Sequence, residues 1–95
     1  MHNLSSLKLA VIGMGYVGLP LAVEFGKKRN TVGFDINNNR IKSLSRRFDE
    51  TLEVSSLDIE NAKYLEFSSN IKDLSTCNIY VVCVPTPIDD DKNPN

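Results

Sequence analysis

The sequence predicts an α/β fold, a doubly wound parallel sheet with its strands in the order 3-2-1-4. Three observations predict it. Leu9-Ala10-Val11-Ile12 is a short apolar run that leads straight into Gly13-Met14-Gly15-Tyr16-Val17-Gly18, and an apolar helical pattern leaves it, giving strand, glycine turn and helix. Thr31-Val32-Gly33-Phe34-Asp35-Ile36 reads as a second strand that ends in an acid, about 20 residues past the first glycine. Ile79-Tyr80-Val81-Val82-Cys83-Val84 is a continuous apolar run, as a strand buried on both faces of a parallel sheet requires.

In chain order, Met1 to Ser6 read as a frayed start, and the first strand is expected from about Leu7 to Ile12. Val17, Leu21 and Phe25 recur every fourth residue and, with Ala22, predict one apolar helical face; that helix is expected to end near Lys27-Lys28-Arg29, where cations suit its dipole. Pro20 is tolerated in the first turn, where its missing N–H would have had no partner. Asn30 is expected as a left-handed cap before the second strand. Asn37-Asn38-Asn39-Arg40 is a helix-start signal, followed by Ile41, Leu44 and Phe48 at helical spacing. Ser55 or Ser56 can cap a short helix over Leu57 to Ala62, Tyr64-Leu65-Glu66-Phe67 alternates as a short third strand, and Asn70 can cap a turn or two over Ile71 to Leu74. Right-handed crossovers then give the order 3-2-1-4.

With 95 residues there is room for one core and one domain. The composition, 41% hydrophobic and 24% charged, is that of a globular protein. The net charge of −1 provides no electrostatic footprint for nucleic acid or an anionic membrane, so neither is expected as a partner. The uncharged stretch Leu9 to Val23 is interrupted by three glycines and Pro20 and is too short to span a bilayer. Cys77 and Cys83 are too few for a disulfide scaffold, His2 is the only histidine, and no metal site is expected; a reducing cytoplasm is the expected compartment.

The chemistry of the chain is expected at the glycine turn. Gly13 allows the bend off the strand, Gly15 lets a pyrophosphate approach the backbone, and Gly18 lets helix and strand pack closely. The N–H groups near Gly15, Tyr16 and Val17 have no partner within the helix, and the helix dipole adds about half a positive charge there, which suits a phosphate. Three glycines in this spacing arise by chance in roughly 3% of chains of this length, so the context of strand, helix, second strand and acid carries the reading. In the predicted order, strands 1 and 4 adjoin where the winding reverses, so the glycine turn and Thr86 face one cleft.

With the glycine turn, Asp35, Arg40 and Val84-Pro85-Thr86-Pro87 in hand, the chain resembles the N-terminal end of the UDP-glucose/GDP-mannose dehydrogenase family, and is most similar to its UDP-N-acetylhexosamine 6-dehydrogenase branch of the Vi-polysaccharide type. Gly-Met-Gly-Tyr-Val-Gly-Leu-Pro-Leu-Ala, Val-Gly-Phe-Asp-Ile and Val-Pro-Thr-Pro are the most specific parts. The resemblance implies a Rossmann-like domain over residues 1–95 that binds NAD. In the family, a nicotinamide coenzyme oxidises the C6 hydroxyl of a nucleotide sugar to a carboxylate in two hydride transfers, through a thioester on a cysteine. It implies that Gly13, Met14, Gly15, Tyr16, Val17 and Gly18 bind the pyrophosphate, that Asp35 and Arg40 bind the adenosine ribose end, and that Pro85, Thr86, Pro87 and Ile88 line the dinucleotide. Family enzymes continue into a central helical dimerisation region and a C-terminal nucleotide-sugar domain. Without those, this chain is expected to be catalytically inactive alone, to meet a UDP-sugar only through them, and to serve polysaccharide biosynthesis as part of a homodimer.

Residue by residue, Asp35 can accept from ribose hydroxyls and would repel a 2′-phosphate, which favours NAD over NADP. Arg40 pulls the other way, since an arginine nearby can accommodate that phosphate, and it can also be a solvated helix residue. Tyr16 is as readily packing as ligand contact, and Thr86, read first as a cleft residue, can also be a turn hydroxyl. Cys83 reads as a small buried hydrophobe, and Asp89-Asp90-Asp91 as a solvated loop. Two other functions compete: a free-standing nucleotide-binding regulatory module, and a methyltransferase with its glycine turn on adenosylmethionine. An end at strand 4 is expected to leave an apolar edge or face uncovered.

Overall fold

The computed structural model describes residues 7–49 and 54–83. Four parallel strands, β1 (Leu9–Ile12), β2 (Thr31–Phe34), β3 (Leu65–Ser68) and β4 (Ile79–Val82), form one sheet in the order β3-β2-β1-β4, as the connection rules require. The register aligns Ile12 with Phe34 and Val82, so the carboxyl ends of β1, β2 and β4 finish level with one another. A cleft can therefore open over all three.

Helices α1 (Gly18–Gly26), α2 (Asn38–Ser45) and α3 (Ser56–Asn61) cover one face of the sheet, where Val11, Met14, Leu19, Ala22, Val23, Leu44 and Ile59 make the main core. On the other face Ala10, Val32, Phe34 and Cys77 form a smaller cluster beneath the 3-10 helix Ile71–Thr76. The period-2 alternation of a strand explains the split: Ala10 and Val11 are neighbours in β1 and enter opposite clusters. Caps fall where polar side chains stand ready. Asn37 accepts from the Arg40 N–H, Ser55 from the Asp58 N–H and Asn70 from the Lys72 N–H.

Several expectations are corrected. The buried stripe of α1 is Gly18, Leu19, Ala22, Val23 and Gly26, whereas Val17 is 68% exposed and Leu21 and Phe25 are only half-buried. Small residues at i, i+4 and i+8 let this helix lie close to the sheet, and a Cβ on Gly26 would stand 2.5 Å from the Leu65 Cβ. The helix does end beside Lys27-Lys28-Arg29, as expected, at Gly26 with Lys27 as its C-cap, although no basic residue lies within its last turn. Asn30 is not left-handed. The left-handed residue among the described non-glycines is Arg47 (φ 63°), which ends α2: its N–H donates to the Leu44 carbonyl and the Phe48 N–H to the Ser43 carbonyl. Phe48 accordingly lies beyond the helix and is exposed rather than continuing its apolar face.

β4 is the largest departure. Among the described strands it lies at the edge of the sheet, and Ile79, Tyr80 and Val82 are exposed instead of buried on both faces. Apolar composition records what a strand is suited to pack against, whereas burial requires that partner to be there. The exposed surface agrees with the expectation of an uncovered apolar face. The expectations for Met1 to Ser6, Val84, Pro85, Thr86, Pro87, Ile88 and the acidic triplet concern residues outside the described ones.

Candidate functional site: the glycine turn and the cleft above the strand ends

The turn is built from the end of β1. Gly13 takes φ 102°, a conformation that a side chain would oppose, and its N–H still reaches the Phe34 carbonyl at 2.7 Å, so the bend begins while the ladder to β2 is intact. Met14 turns its side chain into the core, wholly buried, with its sulfur over Gly33 of β2, where a Cβ would come within 2.8 Å of it. The backbone of Met14 is gripped on both sides. Its N–H donates to Asp35 Oδ2 at 2.9 Å, and its carbonyl accepts from Arg40 Nε at 2.7 Å.

Gly15, Tyr16 and Val17 then carry the chain over to α1, and all three are exposed. A Cβ on Gly15 would meet nothing within 4 Å, so the turn presents open backbone at this point. Among the described residues, the Gly15, Tyr16 and Val17 N–H groups have no acceptor. These are the unpaired donors of a helix start, and the helix dipole makes the spot hospitable to an anion. Gly18 closes the turn from beneath: its missing Cβ would fall 1.7 Å from the Gly13 carbonyl oxygen and 3.2 Å from the Cys83 Cβ.

Asp35 stands at the mouth of the bend. One carboxylate oxygen takes the Met14 N–H and the other takes the Asn37 N–H at 2.9 Å, which fixes the group between the glycine turn and the start of α2. A carboxylate has about four acceptor positions, so two remain for hydroxyl donors. Between Asp35 and the turn lies a cleft of about 740 Å³ lined by Ile12, Gly13, Gly15, Tyr16, Val17, Phe34, Asp35, Ile36, Val82 and Cys83. Its walls are mostly apolar, with one charged group and a row of free amides, the combination expected of a cofactor site.

Arg40 is not in that lining. Its side chain is only 11% exposed and lies behind the turn, where the guanidinium donates from Nε to the Met14 carbonyl and from one terminal nitrogen to Asp49 Oδ1 at 2.8 Å. Asp49, with a side chain that is 0% exposed, also accepts from the Val54 N–H at 3.0 Å. Sequence reasoning missed this carboxylate, because an acid in a stretch without periodicity carries no signal of burial. It also missed Ile36, whose 87% exposure beside Asp35 supplies an apolar wall; an apolar residue in the turn straight after the acid was the available cue. Cys83 lines the cleft, while burial pushes the Cys77 thiol up, away from the reactive thiolate. Among the described residues no helix is long and apolar enough to cross a membrane, and no group of His, Cys, Asp and Glu could hold a metal ion.

Residues 7–95 match the UDP-glucose/GDP-mannose dehydrogenase family, NAD binding domain. The chain belongs to this family. It is 55% identical over 92 residues to the UDP-N-acetyl-D-glucosamine 6-dehydrogenase of Pseudomonas aeruginosa, covering 97% of this chain and 22% of that protein. It is 48% identical over 95 residues to the enzyme of the same name from Salmonella typhi, covering 100% of this chain and 22% of that protein. The crystal structure of a GDP-mannose dehydrogenase from Pseudomonas aeruginosa superposes with a TM-score of 0.84 over 94% of this chain and 22% of that one; at 17% identity this shows the shared fold. The chain thus spans about a fifth of the length of these relatives. As the NAD-binding domain of the family, it takes NAD as its coenzyme, and the open backbone at Gly15, the unpaired amides and the Asp35 carboxylate are groups that suit a dinucleotide.

Proposed function

We propose that this chain is the coenzyme-binding part of a nucleotide-sugar 6-dehydrogenase acting on a UDP-N-acetylhexosamine, in a cytoplasmic route to uronate-containing polysaccharide. The relatives at 55% and 48% identity support the substrate class. One observation carries the site: the Asp35 carboxylate is hydrogen-bonded to the backbone of the very turn whose next residue is bare glycine. Diphosphate at Gly13 to Gly18 and a ribose at Asp35 would then be one continuous ligand; a role for Pro85, Thr86, Pro87 and Ile88 in lining it rests on the family resemblance alone. NAD, when bound, supplies a hydride acceptor; the described residues bind and orient it.

Asp35 favours NAD over NADP by charge, and Arg40, the cation that would offset this, is engaged by the Met14 carbonyl and Asp49. Calorimetric titration of the 95-residue chain with NAD, NADP and ADP-ribose tests the reading. NAD and ADP-ribose are expected to bind and NADP to bind at least about tenfold more weakly. Gly15→Val should fill the open backbone, lowering NAD affinity by about tenfold or more while leaving the unfolding midpoint close to that of the parent, because a Cβ added there meets nothing within 4 Å. Tighter binding of NADP than NAD, or a Gly15→Val chain that binds as the parent does, would overturn the assignment.

The same reading includes a homodimer. The exposed Ile79, Tyr80 and Val82 on an edge strand support association through β4. Sedimentation equilibrium is expected to show a dimer or larger species, and a clean monomer at high concentration would count against it.

A further inference from the structure

We propose that Asp49 is a specificity-determining residue for the coenzyme: it takes up the charge of Arg40 beside Asp35, so that Arg40 can serve the adenosine ribose of NAD without inviting the 2′-phosphate of NADP. Arg40 is placed relative to Asp35 by two separate connections. One Asp35 oxygen accepts the Met14 N–H at 2.9 Å, while Arg40 Nε donates to the carbonyl of that same residue at 2.7 Å. The other Asp35 oxygen accepts the Asn37 N–H at 2.9 Å, and the Asn37 side chain accepts the Arg40 N–H at 3.1 Å. The guanidinium is therefore held one residue away from the carboxylate at the mouth of the bend. Left to itself, this cation would cancel the repulsion between Asp35 and a 2′-phosphate.

Asp49 prevents that. It meets one terminal nitrogen of Arg40 at 2.8 Å, and with side chains 0% and 11% exposed the pair is barely screened by water or salt. Two carboxylates and one guanidinium leave a net negative charge beside the ribose position. A phosphate could not draw Arg40 away at small cost, because the buried Asp49 carboxylate would lose this counter-charge. Asp49 is itself anchored by the Val54 N–H at 3.0 Å, which ties the chain beyond α2 to the glycine turn through one ion pair. Arg40 keeps one donor uncommitted, a buried terminal nitrogen with no hydrogen-bond partner among the described residues. A ribose hydroxyl, neutral and able to accept, suits that donor, whereas a phosphate needs the charge that Asp49 has taken.

The proposal rests on the coenzyme reading above. Its readout is the ratio of NADP to NAD affinity, because a merely structural loss weakens both coenzymes alike and leaves that ratio unmoved. In calorimetric titrations of the 95-residue chain, Asp49→Asn, which keeps the shape and removes the charge, is expected to raise the ratio by about tenfold. Arg40→Met/Asp49→Asn removes both charges together and leaves neither buried alone, so it should fold whether or not the single variant does. Its ratio is expected within about twofold of the parent's, since the pair it deletes was already neutral. A folded Asp49→Asn chain with an unmoved ratio would overturn the proposal, and so would a raised ratio that persists once Arg40 is removed as well. A paired variant whose ratio falls several-fold below the parent's would show that Arg40 had been open to the phosphate all along, which also overturns it. In each of these cases the parent still binds NAD, and the coenzyme reading stands; a parent chain that binds neither coenzyme overturns that reading and this proposal together.

Discussion

Gly18→Ala is expected to destabilise the chain by roughly 3 kcal/mol or more and to abolish NAD binding. The single added carbon would lie 1.7 Å from the Gly13 carbonyl oxygen and 2.9 Å from its carbon. Neither is the movable end of a side chain. Relief requires the turn to swing away from α1 or the first turn of α1 to lift off the sheet. The first is resisted by the Gly13 N–H on the Phe34 carbonyl, and the second by Leu19, which is wholly buried in the core next to Gly18. A chain of this size has a total stability of about 5–15 kcal/mol, so a loss of this order is a large share of it. Urea unfolding should show a midpoint lowered with little change in slope, since the surface exposed on unfolding is nearly the same. Gly15→Val is the matched control at the other end of the turn, where function should go and stability stay. A Gly18→Ala chain that unfolds within about 1 kcal/mol of the parent would show that the turn yields more easily than its packing implies.

The contrast between these glycines shows what the sequence could and could not disclose. The spacing of Gly13, Gly15 and Gly18 after an apolar run, with Asp35 ending the next one, was enough to place the turn, the strands beside it and the acid at its mouth, because each of these is set by local backbone demands. The order 3-2-1-4 followed from connection rules that allow few alternatives. The buried face of α1 was misjudged for a definable reason: Val17, Leu21 and Phe25 have the larger apolar side chains, yet Gly18, Ala22 and Gly26 are the residues that permit close approach. Periodicity weighs side-chain size, whereas the helix was placed by its absence. β4 failed in a different way, because its burial depends on elements packed against it and not on its own composition. Arg40 was visible as a residue but not as a role, since both of its partners are distant in sequence, Met14 by 26 positions and Asp49 by 9.

That hidden partnership leads to the other large effect: Asp49→Ala is expected to cost about 3–5 kcal/mol, as much as any single change outside the glycine turn. Removing this carboxylate would leave the Arg40 guanidinium, with a side chain 11% exposed, without its counter-charge in a place where water cannot replace it. The Val54 N–H would lose its acceptor at the same stroke. An uncompensated buried charge costs more than the pair contributes, so the same site can be emptied of charge at far lower cost. Arg40→Met/Asp49→Ala should therefore be more stable than Asp49→Ala alone, with a coupling of roughly 1–3 kcal/mol in a double-mutant cycle of urea midpoints. If the two single losses simply added, the residues would be acting independently, and the ion pair could not be what links the end of α2 to the glycine turn. Recovery of stability in the double variant without recovery of NAD affinity would separate the two duties of Arg40, holding the fold together and holding the Met14 carbonyl.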